Sequence, residues 1–309
     1  MKTNLLGKTN LHVSKIGFGC APLGNEYGDL DNTEAIQSVH AAIDHGINFF
    51  DTSPYYGRTL SETRLGEALK GKRDKVILAT KGGRFGASAE GGFDFSYNSV
   101  ISMCEASLKR LQTDVIDVYQ LHDIEFGRKE IVINEGIPAL FDLKKAGKVR
   151  FIGVTGYPVD LLHEIITTHE LDVTLSYCHF NLQNQSLHKQ LLRAARERNM
   201  GVINASITGM GLLTPQGPQS WHPASNHIKA TCQEAADYCA ERGVSIAQLA
   251  IQYALQNDQT DTTLLGTRTA AELESSIDFL DRPIDKEILQ AVQTILEPAL
   301  DQTWPSGFY

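Results

Sequence analysis

The run NFFDTSPYYGRTLSE, residues 48–62, sets an aspartate, two adjacent tyrosines and a glycine directly behind an apolar stretch. Two later runs close in a related way, KVILATK on Lys81 and VIDVYQLH on His122. A carboxylate, a phenol, an ammonium and an imidazole form a working set if they meet. A buried lysine needs a counter-charge, and Asp51 can supply it. A tyrosine ordinarily titrates near ~10. A neighbouring ammonium favours the phenolate, by analogy with charge pairs that move groups by roughly 1–3 pH units. On this reading Lys81 lowers the pKa of Tyr56 and makes it an acid or base of useful strength. His122 can donate a hydrogen bond to a substrate oxygen and orient it. Such a set moves a proton at a carbonyl or an alcohol, whereas hydride transfer requires a cofactor. Taken singly, a lysine or histidine at a strand end is more often a rim charge. The chemistry therefore depends on convergence.

Convergence is a matter of the elements that carry these residues. Apolar runs predict strands near residues 16–20, 47–51, 75–81, 115–122, 149–154, 172–178, 201–206 and 262–266. Helical spacing predicts helices between them. Ala35, Val39, Ala42 and Ile43 recur over 32–45, and Val100, Cys104, Leu108 and Leu111 share one side of 96–112. The run SETRLGEALKG reads as a helix with Ser61 as a possible cap and Gly71 as its stop. Further helices are expected over 130–148, 158–170 and 186–200, and a long loop with one helix precedes the last strand. Two short alternating runs around Gly7–Asn10 read as a hairpin.

Strands alternating with amphipathic helices imply parallel pairing through crossovers. Eight such units close into an α/β fold, a (β/α)8 TIM barrel, here with an N-terminal β-hairpin and extra C-terminal helices. An open doubly wound sheet is the alternative, but the glycines of GFGCAPLG lack the G-x-G-x-x-G spacing of its phosphate loop. No linker-like or low-complexity segment appears, so residues 1–309 are expected to form one domain. Asp51, Lys81 and His122 are then the last residues of strands two, three and four of the barrel. Their ends face one mouth, and Tyr56 lies five residues beyond Asp51 in the loop over it.

The formal net charge of −9 argues against a nucleic-acid partner and gives no attraction to an anionic membrane. The five cysteines, Cys20, Cys104, Cys178, Cys232 and Cys239, form no C-x-x-C pair. Reduced thiols are expected, with neither a disulfide framework nor a metal site. The N-terminus has no apolar core of the secretory type, and no run approaches a membrane span, which points to the cytoplasm.

FDTSPYYG, LATKGG and DVYQLHD resemble the signatures of the aldo-keto reductase superfamily, and the resemblance runs along essentially the whole chain. It implies a barrel that binds a nicotinamide cofactor without a separate Rossmann domain. It also implies a tetrad of Asp51, Tyr56, Lys81 and His122. Tyr56 would be the acid/base, Lys81 and Asp51 its tuners, and His122 the orienting group. The longer strings SPYYGRTLSE, LHDIEFG, IPALFDLKKAGKVRFIGVTGYP, LSYCHFNL and QGPQSWHPAS are similar to the L-galactose dehydrogenase branch. Pyridoxal dehydrogenases and other aldose 1-dehydrogenases share part of the pattern. In that branch an aldose such as L-galactose, or an L-fucose-type sugar, is oxidised at its anomeric carbon to the lactone.

The same resemblance supplies expectations for the binding loops. INASITGMGLLT offers Ser206, Gly209, Gly211 and Leu212 to a pyrophosphate, the glycines letting backbone N–H groups approach it. Ala205 stands where relatives often carry an aromatic that stacks on nicotinamide, and Tyr177, after Ser176, stands where they often carry glutamine. Thr155 can hold the carboxamide, although the amide partner is missing at Gly156. Simple turn geometry is the other reading of Gly156 and Gly209. In LLGTRTAAELESS, Gly266, Arg268, Glu272 and Ser276 would face the adenosine end. Arg268 suits the 2′-phosphate of NADP. Glu272 pulls toward the ribose hydroxyl of NAD, and a solvated surface arginine is the plain alternative. NADP is the expectation. Substrate contacts are expected from Tyr55, His122, Asp123 and Trp304, with Asp123 equally suited to supporting the tetrad. His222, before a proline, reads as turn packing.

The expected partner is a small sugar, bound by a monomer or weak homo-oligomer. A broad NADPH carbonyl reductase, a pyridoxal-type dehydrogenase and a non-catalytic nicotinamide-binding regulatory subunit are the competing readings.

Overall fold

The computed structural model describes every residue except 87–90, 257 and 279–281. Strands β1 (Thr3–Leu5) and β2 (His12–Ser14) form the antiparallel hairpin, with Thr3 opposite Ser14. Eight strands follow: β3 (Ile16–Gly19), β4 (Phe49–Asp51), β5 (Ile77–Gly82), β6 (Ile116–Leu121), β7 (Val149–Gly156), β8 (Val173–Tyr177), β9 (Gly201–Ala205) and β10 (Thr262–Leu265). All pair in parallel, and β10 pairs with both β9 and β3, closing the barrel. Closure leaves no unpaired strand edge.

The strands read as unbroken apolar runs because both of their faces are covered. Phe49, Ala79 and Val118 point inward and pack with Leu6 and Val13 of the hairpin segment. Their strand neighbours Phe50, Leu78 and Tyr119 face the layer of helices. The hairpin closes the end of the barrel where the strands begin. There the chain at Gly7 passes so near β9 that a Cβ would lie 2.2 Å from the Gly201 nitrogen. The opposite end stays open to function.

Several boundaries differ from those expected. Lys81 is the penultimate residue of β5, and His122 lies one residue past β6, although its N–H still donates to the Gly82 carbonyl at 2.9 Å. Ser61 is not a cap. The helix Leu60–Ala68 starts from Thr59, at φ +80°, and the Ser61 hydroxyl donates to the Cys20 carbonyl at 2.7 Å. Between β9 and β10 the chain forms two helices, Asn226–Ala240 and Ile246–Gln256, rather than one. Gly243, at φ +68°, turns the chain between them. All five cysteines are free and buried.

Gly24 and Gly57 position the loop that carries Tyr56. A Cβ at Gly24 would stand 2.5 Å from the Tyr56 carbonyl carbon, and one at Gly57 would stand 2.2 Å from the Gly24 oxygen. The two backbones cross in contact, so neither position tolerates a side chain. Gly24→Ala is expected to destabilise the fold by about 1–3 kcal/mol through overpacking. It should also lower turnover, because the Tyr56 backbone must move. Urea unfolding and steady-state kinetics read the two effects, and a variant as stable as wild type would show that the loop yields freely.

Candidate active site

Register explains why Asp51 and Lys81 meet. Asp51 pairs with Ala79, and Lys81 lies two residues further along β5, hence on the same inward face. The Lys81 Nζ donates to Asp51 Oδ1 at 2.5 Å and to the Thr52 carbonyl at 2.8 Å. Gln120, opposite Lys81 on β6, donates to Asp51 Oδ2 at 3.4 Å. Lys81 and Asp51 are 1% and 2% exposed, so each charge depends on the other.

The Tyr56 and His122 rings stand edge to face with centroids 5.8 Å apart, and Lys81 Nζ is 5.1 Å from the Tyr56 ring centroid. The four expected groups therefore converge at the open mouth. The electrostatics differ from expectation. Burial, then the carboxylates of Asp51 and Asp123, hold the Tyr56 phenol well above its ordinary value, with Arg84 pulling the other way. Burial and the two carboxylates outweigh the cations nearby, and the Lys81 ammonium is bound by Asp51. Burial likewise pushes the Asp51 carboxyl up, while Lys81 draws it back.

His122 is neutral. Burial holds its pKa well below the usual range, and Lys81 and Arg84 add to the effect. Its Nδ1 lies 2.9 Å from Ser53 Oγ, which accepts the Tyr55 N–H at 3.1 Å. With the Ser53 hydroxyl donating to Nδ1, the proton of the imidazole sits on Nε2. Nε2 is 3.8 Å from Asp123 Oδ2 and is the nitrogen able to donate to a substrate oxygen.

Asp123 proves to be half of an ion pair. Arg84 Nη1 donates to Asp123 Oδ2, and the guanidinium lies 3.6 Å from the Tyr55 ring centroid. Arg84 was missed in the sequence, although TKGGRFG sets it three residues past Lys81. Thr155 is engaged by Asp123. Its hydroxyl accepts the Asp123 N–H at 3.0 Å and donates to Asp123 Oδ1 at 3.3 Å. Ser176 is buried on β8, 3.3 Å from His179 Nδ1, and the Tyr177 hydroxyl donates to Glu125 at 3.2 Å. Trp304 is 7% exposed, stacked on Tyr157 at 4.7 Å and edge-on to His222 at 4.9 Å, so it packs within a wall rather than against the tetrad. His222 packs as expected, bridging to the Gly209 carbonyl at 3.1 Å.

A cavity of about 950 Å³ runs from Asp51 and Tyr56 along the loops that follow β9, β10 and β3. Ser206, Gly211, Gly266, Arg268, Glu272 and Ser276, read in the sequence as facing a cofactor, line it. Gly209 and Leu212 do not line it, and Leu212 is 1% exposed and packs into the core beneath. The volume suits an organic cofactor. One end carries the proton-transfer groups, and the other carries an arginine, a carboxylate and hydroxyls, so the residues present fit a dinucleotide. Arg268 is engaged by Glu272 through three hydrogen bonds: N to Oε2 at 2.9 Å, Nε to Oε1 at 3.2 Å and Nη2 to Oε1 at 2.8 Å. Among the described residues no cluster could hold a metal ion, and no helix is long and apolar enough to cross a membrane.

A closed barrel with a buried Lys–Asp pair, a phenol and a neutral imidazole at its mouth, beside a dinucleotide-sized groove, defines a barrel oxidoreductase. The Aldo/keto reductase family model matches residues 15–297, and the chain belongs to that family. It is 43% identical to L-galactose dehydrogenase of Arabidopsis thaliana over 98% of this chain and 97% of that protein. It is 33% identical to D-arabinose 1-dehydrogenase of Saccharomyces cerevisiae over 96% and 94%. Its fold matches the holo form of an aldo-keto reductase from Bacillus halodurans with a TM-score of 0.80, at 27% identity and full coverage of both chains. The protein is thus an oxidoreductase that resembles L-galactose dehydrogenase, and enzymes of its family work with a nicotinamide cofactor.

Two substitutions separate the roles. Tyr56→Phe should lower kcat by about 10²–10⁴-fold and leave cofactor binding intact. Turnover close to that of wild type would remove proton transfer from this phenol. Lys81→Met leaves Asp51 buried without a cation and should cost about 3–5 kcal/mol in a denaturant titration.

Proposed function

We propose that the protein oxidises an aldose, L-galactose or an L-fucose-type sugar, at its anomeric carbon to the lactone. The observation that carries this reading is the Arg84–Asp123 pair set against Tyr55 beside the tetrad. It gives the substrate side of the mouth donors and acceptors matched to a polyol, where a simple aldehyde would use none of them. The likeness to a sugar dehydrogenase along the whole chain supports it.

A nicotinamide dinucleotide held in the groove would supply the hydride acceptor for the anomeric carbon. The chain handles the proton. The His122 Nε2–H orients the anomeric oxygen by donating to it. Tyr56 as phenolate takes the hydroxyl proton, and the Lys81–Asp51 pair holds the loop and phenol in place. Because Tyr56 is held neutral, oxidation requires it to lose its proton first. The rate of oxidation should therefore climb as pH rises above neutrality, with a slope approaching about one log unit per pH unit. A flat profile from pH 7 to 9 would point to another base.

The Arg268–Glu272 pair bears on the cofactor. The expectation of NADP rested on Arg268, with Glu272 weighing against it. A 2′-phosphate must share Arg268 with the carboxylate it already holds and meets that carboxylate's charge, whereas the ribose diol of NAD can donate to it. This favours NAD. Glu272→Ala should raise kcat/KM with NADP relative to NAD by about tenfold or more. An unchanged ratio would show that the pair does not discriminate. Initial rates with L-galactose and L-fucose against simple aldehydes and pyridoxal, with both cofactors, test the substrate. Preferred turnover of aldehydes would replace this reading with that of a carbonyl reductase.

A further inference from the structure

Glu125 is fully buried, two residues beyond Asp123, and takes no part in the proton transfer described above. Its Oε1 accepts three hydrogen bonds: from the Tyr157 N–H at 3.0 Å, the Tyr177 hydroxyl at 3.2 Å and the Ser306 hydroxyl at 3.1 Å. Its Oε2 has no partner. The Glu125 carbonyl accepts the Phe308 N–H at 3.0 Å, and a Cβ at Gly307 would lie 2.2 Å from that oxygen. Trp304, earlier in the same terminal segment, donates its N–H to the Tyr157 hydroxyl at 3.3 Å. One side chain therefore ties the loop after β6 to the loop after β7, to the end of β8 and to the C-terminal segment. The groove for the dinucleotide uses the loops after β9, β10 and β3, so this tie lies on the remaining side of the mouth, with Arg84 and Asp123.

We propose that Glu125 is a positioning residue that clasps residues 304–309 across the substrate side of the mouth and so sets affinity for the sugar. It acts through the terminal segment and Tyr177, not on the reacting atoms. The groups facing it are Asp123 on its own loop and the phenols of Tyr157, Tyr177 and Tyr309. None carries a positive charge, and the neighbouring cations Arg84 and Lys129 are paired with Asp123 and Glu164. Burial, and then Asp123, push the Glu125 carboxyl up to about 8. An unfolded glutamate titrates near ~4.3. The folded value is the higher, because burial outweighs the Tyr157 and Ser306 hydrogen bonds, which favour the ionised form. The stability of the buried clasp is therefore full below ~4.3 and is lost as pH rises through about 8.

The experiment reads the clasp with and without turnover. The inference rests on the aldose reading only for its kinetic arm. Glu125→Ala should raise the sugar KM by about tenfold while kcat changes by less than about threefold. Removal of residues 304–309 should raise KM similarly, and the two changes together should do no more than either alone. Glu125→Gln, which keeps the shape and the acceptor oxygen, should restore KM and abolish its rise between pH 6 and 8. With Trp221→Phe, Trp304 is the sole tryptophan of the two in the chain. Its emission should shift to the red over the same pH range with Glu125 and stay constant with Glu125→Gln. Equal titration of the two proteins, or a tenfold KM effect of Glu125→Ala in the shortened chain, would overturn the proposal. Absence of aldose oxidation with the emission change intact would remove the proposed function and leave the clasp standing.

Discussion

An ammonium and a carboxylate shut inside a barrel constrain everything built around them. Lys81 and Asp51 have almost no contact with solvent, and the cost of isolating either charge is several kcal/mol. The pair can exist only if β4 and β5 hold their register, since a slip of one residue would turn Lys81 outward among the helices. The Thr52 carbonyl and the Gln120 amide then complete the coordination of both charges. Fold and chemistry are linked here: the parallel barrel exists to close a core, and its closure is what makes a mutually neutralised pair necessary.

Burial also shapes the groups beside the pair. At the phenol of Tyr56 burial dominates, the carboxylates of Asp51 and Asp123 add to it, and the proton stays on. The imidazole of His122 is kept neutral by the same dry surroundings and by the two cations near it. A neutral donor beside a neutral acid orients an oxygen without adding a formal charge to the site. The mouth is divided accordingly. The loops after β9, β10 and β3 form the long groove, and those after β5 to β8 form a polar wall with Arg84 and Asp123.

Much of this was legible in the chain, for identifiable reasons. Strands covered on both faces produce unbroken apolar runs such as KVILATK, and the order of strand and helix implied the closed barrel. Asp51, Lys81 and His122 could be placed together because strand ends share one face of such a barrel. What could not be read depends on distance. The direction of the Tyr56 shift turns on how deeply the phenol is buried and on the carboxylates around it, and Arg268 is committed only because Glu272 lies one helical turn away. Arg84 and Glu125 meet partners from remote loops, Asp123 and Ser306 among them, and no local pattern announces such meetings. Ser61 looked like a cap by type, yet its hydroxyl reaches across the chain to Cys20.

The burial of all five thiols has a practical corollary. A cysteine introduced on an exposed helix face would meet a maleimide or spin label well ahead of the native ones, which are shielded by packing and, for Cys20, Cys178 and Cys232, held strongly protonated by burial. The molecule is therefore suited to site-directed labelling, distance measurement and surface immobilisation without first being stripped of its own sulfur.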